Sequence, residues 1–158
     1  MVWTKLGFGK HKGRTFPQII FCDPDWFFWA MENEIFEEPY GRRYLAEANK
    51  IYNRARNVKI PYNEVGDQVV EHTATPWDHS YVRFDIIDKS QGKHAGSSPT
   101  YLSDRIDFGF PRQLSSYDKS GYRGFLHSFK FYVTGYITIT PKVAEAFFDD
   151  EGNFEEGD

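Results

Sequence analysis

The sequence predicts an α+β fold, and three observations predict it. Apolar residues recur at helical spacing up to about Arg56. After Pro61 the period shortens toward two, as strands require. Of the 158 residues, 18% are aromatic, with 15 Phe, 10 Tyr and 4 Trp, enough ring area to build a packed core. The expected architecture is a helical head with a small β-hairpin, residues 1–60. A short antiparallel sheet with two helices follows, residues 61–148, and an acidic, frayed tail, residues 149–158, ends the sequence. Head and body can share one core, because the joint between Asn57 and Asn63 is short.

The elements follow in order. Thr4–Phe8, the turn GKHKG and Arg14-Thr15 read as the hairpin. Thr15-Phe16-Pro17 is a helix start, with Thr15 as N-cap and proline just inside. Asp23-Pro24 repeats that signal before DWFFWAMEN. A third helix is expected over Pro39–Arg56. Strands are expected at Asp67–Thr73, Tyr81–Asp88 and Tyr101–Phe110, with 90–99 a loop by composition. Ser115–Asp118 reads as the cap of a helix over Tyr122–Val133, with Gly135 as its C-cap. Tyr136–Thr140 reads as a short strand, and Thr140-Pro141 starts a last helix.

Charge is unevenly placed. Residues 1–60 carry 10 Lys and Arg against 7 Asp and Glu. Residues 145–158 carry no basic residue and 7 acidic ones, within a net charge of −4. A mildly basic head is compatible with nucleic acid but does not have the strong bias of a dedicated binder. No run of 18 apolar residues is present, so no membrane partner is expected. The N-terminus shows no secretion signal, and the lone Cys22, read as a small buried hydrophobe, fits a reducing, cytoplasmic setting. No motif calls for a cofactor.

The candidate binding residues cluster near the N-terminus. In LGFGKHKGRT, glycines 7, 9 and 13 let backbone approach a phosphate, and Lys10, His11, Lys12 and Arg14 supply positive charge. The same glycines can equally serve a tight turn with a solvated tip. The spacing is not that of a P-loop. Trp26, Phe27, Phe28 and Trp29 are consecutive, and helical residues point about 100° apart, so they cannot all face one core. Either the helix is wrapped on most sides and buried rings cement the head, or Trp26 or Trp29 is exposed and could stack on a base. Arg42 and Arg43 extend the basic surface, diluted by Glu37, Glu38 and Glu47.

The block GFGKHKGRTFPQII with DPDWFFWAMEN resembles the C-terminal accessory module of exodeoxyribonuclease X and related proteins. That module has a Phe-Gly-Lys-x-Lys-Gly turn and an Asp-Pro-x-Tyr-x-x-Trp-Ala helix. The matching positions are Phe8, Gly9, Lys10, Lys12, Gly13, Thr15, Asp23, Pro24, Trp26, Trp29 and Ala30, with Trp26 where tyrosine is usual. The resemblance spans Leu6 to Ile60, and the remainder looks like an extension found in some bacterial and bacteriophage proteins of unassigned function. It implies an accessory role in nucleic-acid contact, without the exonuclease's catalytic carboxylates.

The leading expectation is therefore a non-catalytic protein that contacts single- or double-stranded nucleic acid. The alternative is a protein-interaction module, such as a phage-encoded modulator or inhibitor of a host or defence complex. Its partner surface would be the acidic tail, with Phe147, Phe148 and Phe154, or the polar-aromatic turn at 115–123. A metal-dependent nuclease would need Asp85, Asp88, Asp104 and Asp107 to converge, and salt bridging explains them more simply. His72 and His79, with Glu71 and Asp78 nearby, could form a metal site, but no pair of histidines has helical ligand spacing.

Overall fold

The computed structural model describes residues 2–91, 98–115 and 119–155. The order is α1 (Phe16–Cys22), α2 (Pro24–Glu32), α3 (Leu45–Ala55), β1 (Gln68–Ala74), β2 (Tyr81–Asp88), β3 (Thr100–Ser103), α4 (Phe110–Leu114), α5 (Lys119–Phe129) and α6 (Pro141–Asp149). The fold is α+β. The sheet order is β2-β1-β3, antiparallel throughout, with His72 of the central strand opposite Phe84 and Tyr101.

Local chemistry sets most helix starts. The Asp23 carboxylate accepts from the Trp26 N–H at 3.3 Å and caps α2. The Thr140 hydroxyl accepts from Val143 N–H at 3.2 Å and caps α6. Thr15 is different. It takes the N-cap position of α1 in an extended conformation, but its buried hydroxyl makes no cap bond. The third helix begins later than expected. Gly41 N–H closes a turn on the Glu38 carbonyl, one 3₁₀ turn covers Arg42–Tyr44, and α3 starts at Leu45.

Two expected strands are corrected. β3 ends at Ser103 instead of running to Phe110. The Asp107 carboxylate accepts from Gly109 N–H at 2.7 Å, and Pro111 lies in the first turn of a helix, so the chain bends into α4. Phe110 then stacks on the His72 ring, centroids 4.0 Å apart. Tyr136–Thr140 is irregular and not a strand. Gly135 and Tyr136 both have positive φ, which turns the chain away from an extended path. The preceding helix starts at Lys119, earlier than expected, and ends in a π-turn over Lys130–Thr134. Gly135 is its left-handed C-cap, as expected. Positions 92–97 of the expected loop and 116–118 of the expected cap lie outside the described residues.

The tail is also corrected. Residues up to Glu155 are ordered onto the body. Glu151–Asn153 form a 3₁₀ turn, Phe154 is buried, and Glu155 N–H donates to the Asn57 carbonyl at 2.7 Å. The acidic character hid an apolar anchor: Phe154 stacks on Phe148, centroids 5.5 Å apart.

Head and body side chains form one buried cluster, from Trp3 and Leu6 through Phe27 and Ile51 to Phe84, Phe125 and Phe148. Phe21 of α1 meets Phe108, Phe129 and Phe148 with centroids 5.5–5.8 Å apart. Trp3 Nε1 donates to Asp149 at 2.9 Å, tying the N-terminal segment to α6. On the body side α5 lies tight on β2. A Cβ at Gly124 would sit 1.9 Å from the Val82 carbonyl oxygen, so only glycine permits this approach. That contact fixes which face of α5 looks toward the N-terminal turn.

Candidate nucleic-acid interface

The turn is closed by backbone. Leu6 N–H donates to the Arg14 carbonyl at 2.9 Å, and Gly13 N–H donates to the Leu6 carbonyl at 2.8 Å. Neither arm is a strand, so the expected hairpin is a bonded loop. Gly9 and Gly13 have φ of +75° and +89°, the left-handed region. The conformational use of these glycines is thus real, and the remaining question is where the cations point.

His11 does not point to solvent. It is buried, with Nε2 2.9 Å from Asp23 and Nδ1 3.1 Å from the Arg14 guanidinium. Arg14 can only donate, so Nδ1 accepts and the ring proton sits on Nε2, which donates to Asp23. Burial pulls the imidazole below its ordinary pKa despite the nearby carboxylate, which keeps it neutral in this arrangement. The Trp26 ring meets His11 edge-on at 5.0 Å and Phe36 at 6.4 Å. His11 therefore organises the turn from inside.

Lys10 pairs with Asp23 at 3.0 Å. Burial pushes the Asp23 carboxyl up, but hydrogen bonds from Lys10, His11 and Trp26 N–H outweigh it and hold the group below its usual value. Lys12 is exposed at the tip. Arg14 also donates to Cys22 Sγ at 3.2 Å. Cys22 is exposed, which corrects the expectation of a buried hydrophobe. Partial burial raises its thiol pKa against the opposing charge of Arg14, so it is a thiol and not a thiolate near neutrality.

The other candidates divide. Arg43 lies beside the turn: its guanidinium is over the Tyr44 ring at 4.7 Å, and a Cβ on Gly7 would come within 3.2 Å of it. Arg42 donates to the Glu37 carbonyl at 3.1 Å. Within α2, Phe27 and Phe28 are buried, while Trp26 and Trp29 are half-buried. The four-aromatic run is thus packed on most sides.

The structure brings two further cations to the turn, Lys119 and Arg123, which the sequence placed only in the possible protein-partner surface at 115–123. A cleft of about 530 Å³ separates the turn from α5. Arg14 and His11 line one side, Lys119 and Arg123 the other, with Cys22 and Leu126 among the remaining wall residues. Lys119 and Arg123 are four apart on one helix, hence on one face. That spacing was visible, but nothing local placed it opposite Arg14. Arg14, Lys119 and Arg123 have no carboxylate partner among the described residues. The two carboxylates lining the cleft are already engaged, Asp23 by Lys10 and Asp25 by Arg112 at 2.7 Å.

Elsewhere charges pair locally. Asp107 lies 3.4 Å from Arg56, and burial raises its pKa. Asp85 accepts from Tyr132 at 2.8 Å, Asp88 from Ser90, and Asp104 from Arg105. These four carboxylates therefore have separate partners. Among the described residues no three His, Cys, Asp or Glu side chains gather as a metal would require. His72 is buried on Phe110 and bonded to the Tyr81 hydroxyl at 2.8 Å, whereas His79 is exposed and bonded to Tyr101. No helix among the described residues is long and apolar enough to cross a membrane. Compared with known protein families, characterised proteins and solved structures, the chain matches none of them.

Proposed function

We propose that this is a nucleic-acid-binding protein that grips phosphate with the Lys10–Arg14 turn and the facing side of α5. The observation that supports it most is the cleft whose three cations, Arg14, Lys119 and Arg123, lack carboxylate partners among the described residues. Exposed charge kept unpaired on both sides of a cleft repels itself, and a polyanion relieves that repulsion while releasing its counterions. Lys12 at the tip and Arg43 beside Gly7 continue the basic rim. The resemblance to the exodeoxyribonuclease X accessory module points the same way. In this reading the protein is non-catalytic, and the pairing of Asp85, Asp88, Asp104 and Asp107 with separate partners agrees with that.

Fluorescence anisotropy of labelled single- and double-stranded DNA and RNA across a salt series tests the proposal. Binding should weaken linearly on logarithmic axes, with a slope of about −2 to −4 for three to four neutralised phosphates. Lys12→Glu with Arg123→Glu should abolish it. No binding of any of these probes at low salt overturns the reading.

One observation favours a protein partner instead. Phe131, Tyr136 and Ile137 are each about half exposed around the π-turn, and the Phe131 and Tyr136 rings are 5.5 Å apart. Exposed neighbouring apolar side chains mark interaction surfaces. The tail is a poor docking element in that case, since Phe148 and Phe154 are used in the core. Under this second reading, charge reversal at Lys12 and Arg123 would leave partner binding intact.

A further inference from the structure

The cleft between the turn and α5 holds more than cations. Arg14, Lys119 and Arg123 stand at its sides, while Pro24, Cys22 and Leu126 give it an apolar wall. Its volume of about 530 Å³ falls within the about 300–1,000 Å³ typical of small-molecule sites. Tyr122 also lines it, but its hydroxyl is buried on the inner side, near Arg112, Asp25 and Asp107, and is closed to the cleft.

We infer that this cleft admits one unstacked nucleotide, with its phosphate between Arg14 and the Lys119–Arg123 face and its base against the Leu126 wall beside Tyr122. The inference rests on the nucleic-acid reading above and adds a preference for single strands. In a duplex the bases are stacked and paired, and only phosphates can reach the cleft's rim. In a single strand a base leaves the stack at low cost, and its apolar surface then covers the cleft's apolar wall.

The test compares a labelled single strand with the blunt duplex of the same sequence, at equal ionic strength. The single strand should bind about tenfold tighter, the scale of one base contact. Lys119→Glu with Arg123→Glu should remove that preference together with most of the affinity. Leu126→Ala cuts back the apolar wall and leaves the three cations in place. It should weaken the single strand a few-fold and leave the duplex unchanged. A nucleoside monophosphate should displace the single strand more effectively than inorganic phosphate at the same concentration. Duplex binding as tight as single-strand binding, or equal displacement by phosphate and mononucleotide, overturns the cleft assignment while leaving phosphate contact by the turn standing. Absence of binding to both strands overturns both.

Discussion

The guanidinium of Arg14 lies 3.1 Å from Nδ1 of His11, and that one contact sets the proton on the imidazole. With Nδ1 accepting, Nε2 must donate, and Asp23 receives it at 2.9 Å. Asp23 meanwhile caps α2 through Trp26 N–H and pairs with Lys10. The basic turn is thereby locked to the start of an aromatic helix by a single buried ring.

His11→Ala removes this lock. Asp23 and Arg14 each lose a partner, so stability should fall by about 1–3 kcal/mol. Urea unfolding monitored by tryptophan fluorescence measures it. An unchanged midpoint would show that His11 is not holding the turn.

Acid stability should depend on His72. Burial lowers its pKa from the ordinary value of 6.5 to about 3. In the window between these values the unfolded chain binds a proton that the folded chain refuses. Stability therefore rises with pH across the window and is fully present above about pH 6.5. The slope from this group approaches about 1.4 kcal/mol per pH unit. His11, also lowered, adds to the same trend, and Asp23 adds below the ordinary carboxylate value. Asp107, raised by burial, acts in the opposite direction above that value. Denaturant titrations from pH 4 to 7 should show His72→Phe losing close to one proton of dependence, whatever its absolute stability.

Arg112 is buried between Asp25 and Glu32. Arg112→Met strands the buried Asp25 charge and should cost about 3–5 kcal/mol. Adding Asp25→Asn should recover a large part of that loss. A double mutant no more stable than Arg112→Met would mean that the Asp25 charge is not what the arginine compensates.

Phe154→Ala should cost about 3–5 kcal/mol, as for other buried phenylalanines. It empties a site where the ring bears on Phe147 and Phe148 and lies under Arg54. If thermal unfolding were unaffected, the tail would be an appendage after all.

Much of the local structure could be read from the sequence. Asp23-Pro24 and Thr140-Pro141 announce helix starts because a cap and a proline act within one turn. β1 and β2 were legible to within one residue at each end from alternation alone. The third strand was not. The alternation at Ile106, Phe108 and Phe110 marks burial in an irregular segment, because Asp107 bends the backbone onto Gly109 and Pro111 opens a helix. The candidate site divides the same way. Lys10, Lys12 and Arg14 stand out beside their glycines, whereas Lys119 and Arg123 look like any solvated pair until α5 is placed.

By itself the sequence determined the α+β class, the place of the N-terminal glycine turn and the first turns of α2 and α6. Each depends on φ preferences, capping or periodicity, which act over a few residues. Only the tertiary structure decided that His11 is buried, that Cys22 is exposed, that Phe154 anchors an acidic tail, and that the cations of α5 face Arg14 across a cleft. Those outcomes depend on residues such as Gly124 against Val82 and Phe21 against Phe108, far apart in the chain and brought together only when one core closes.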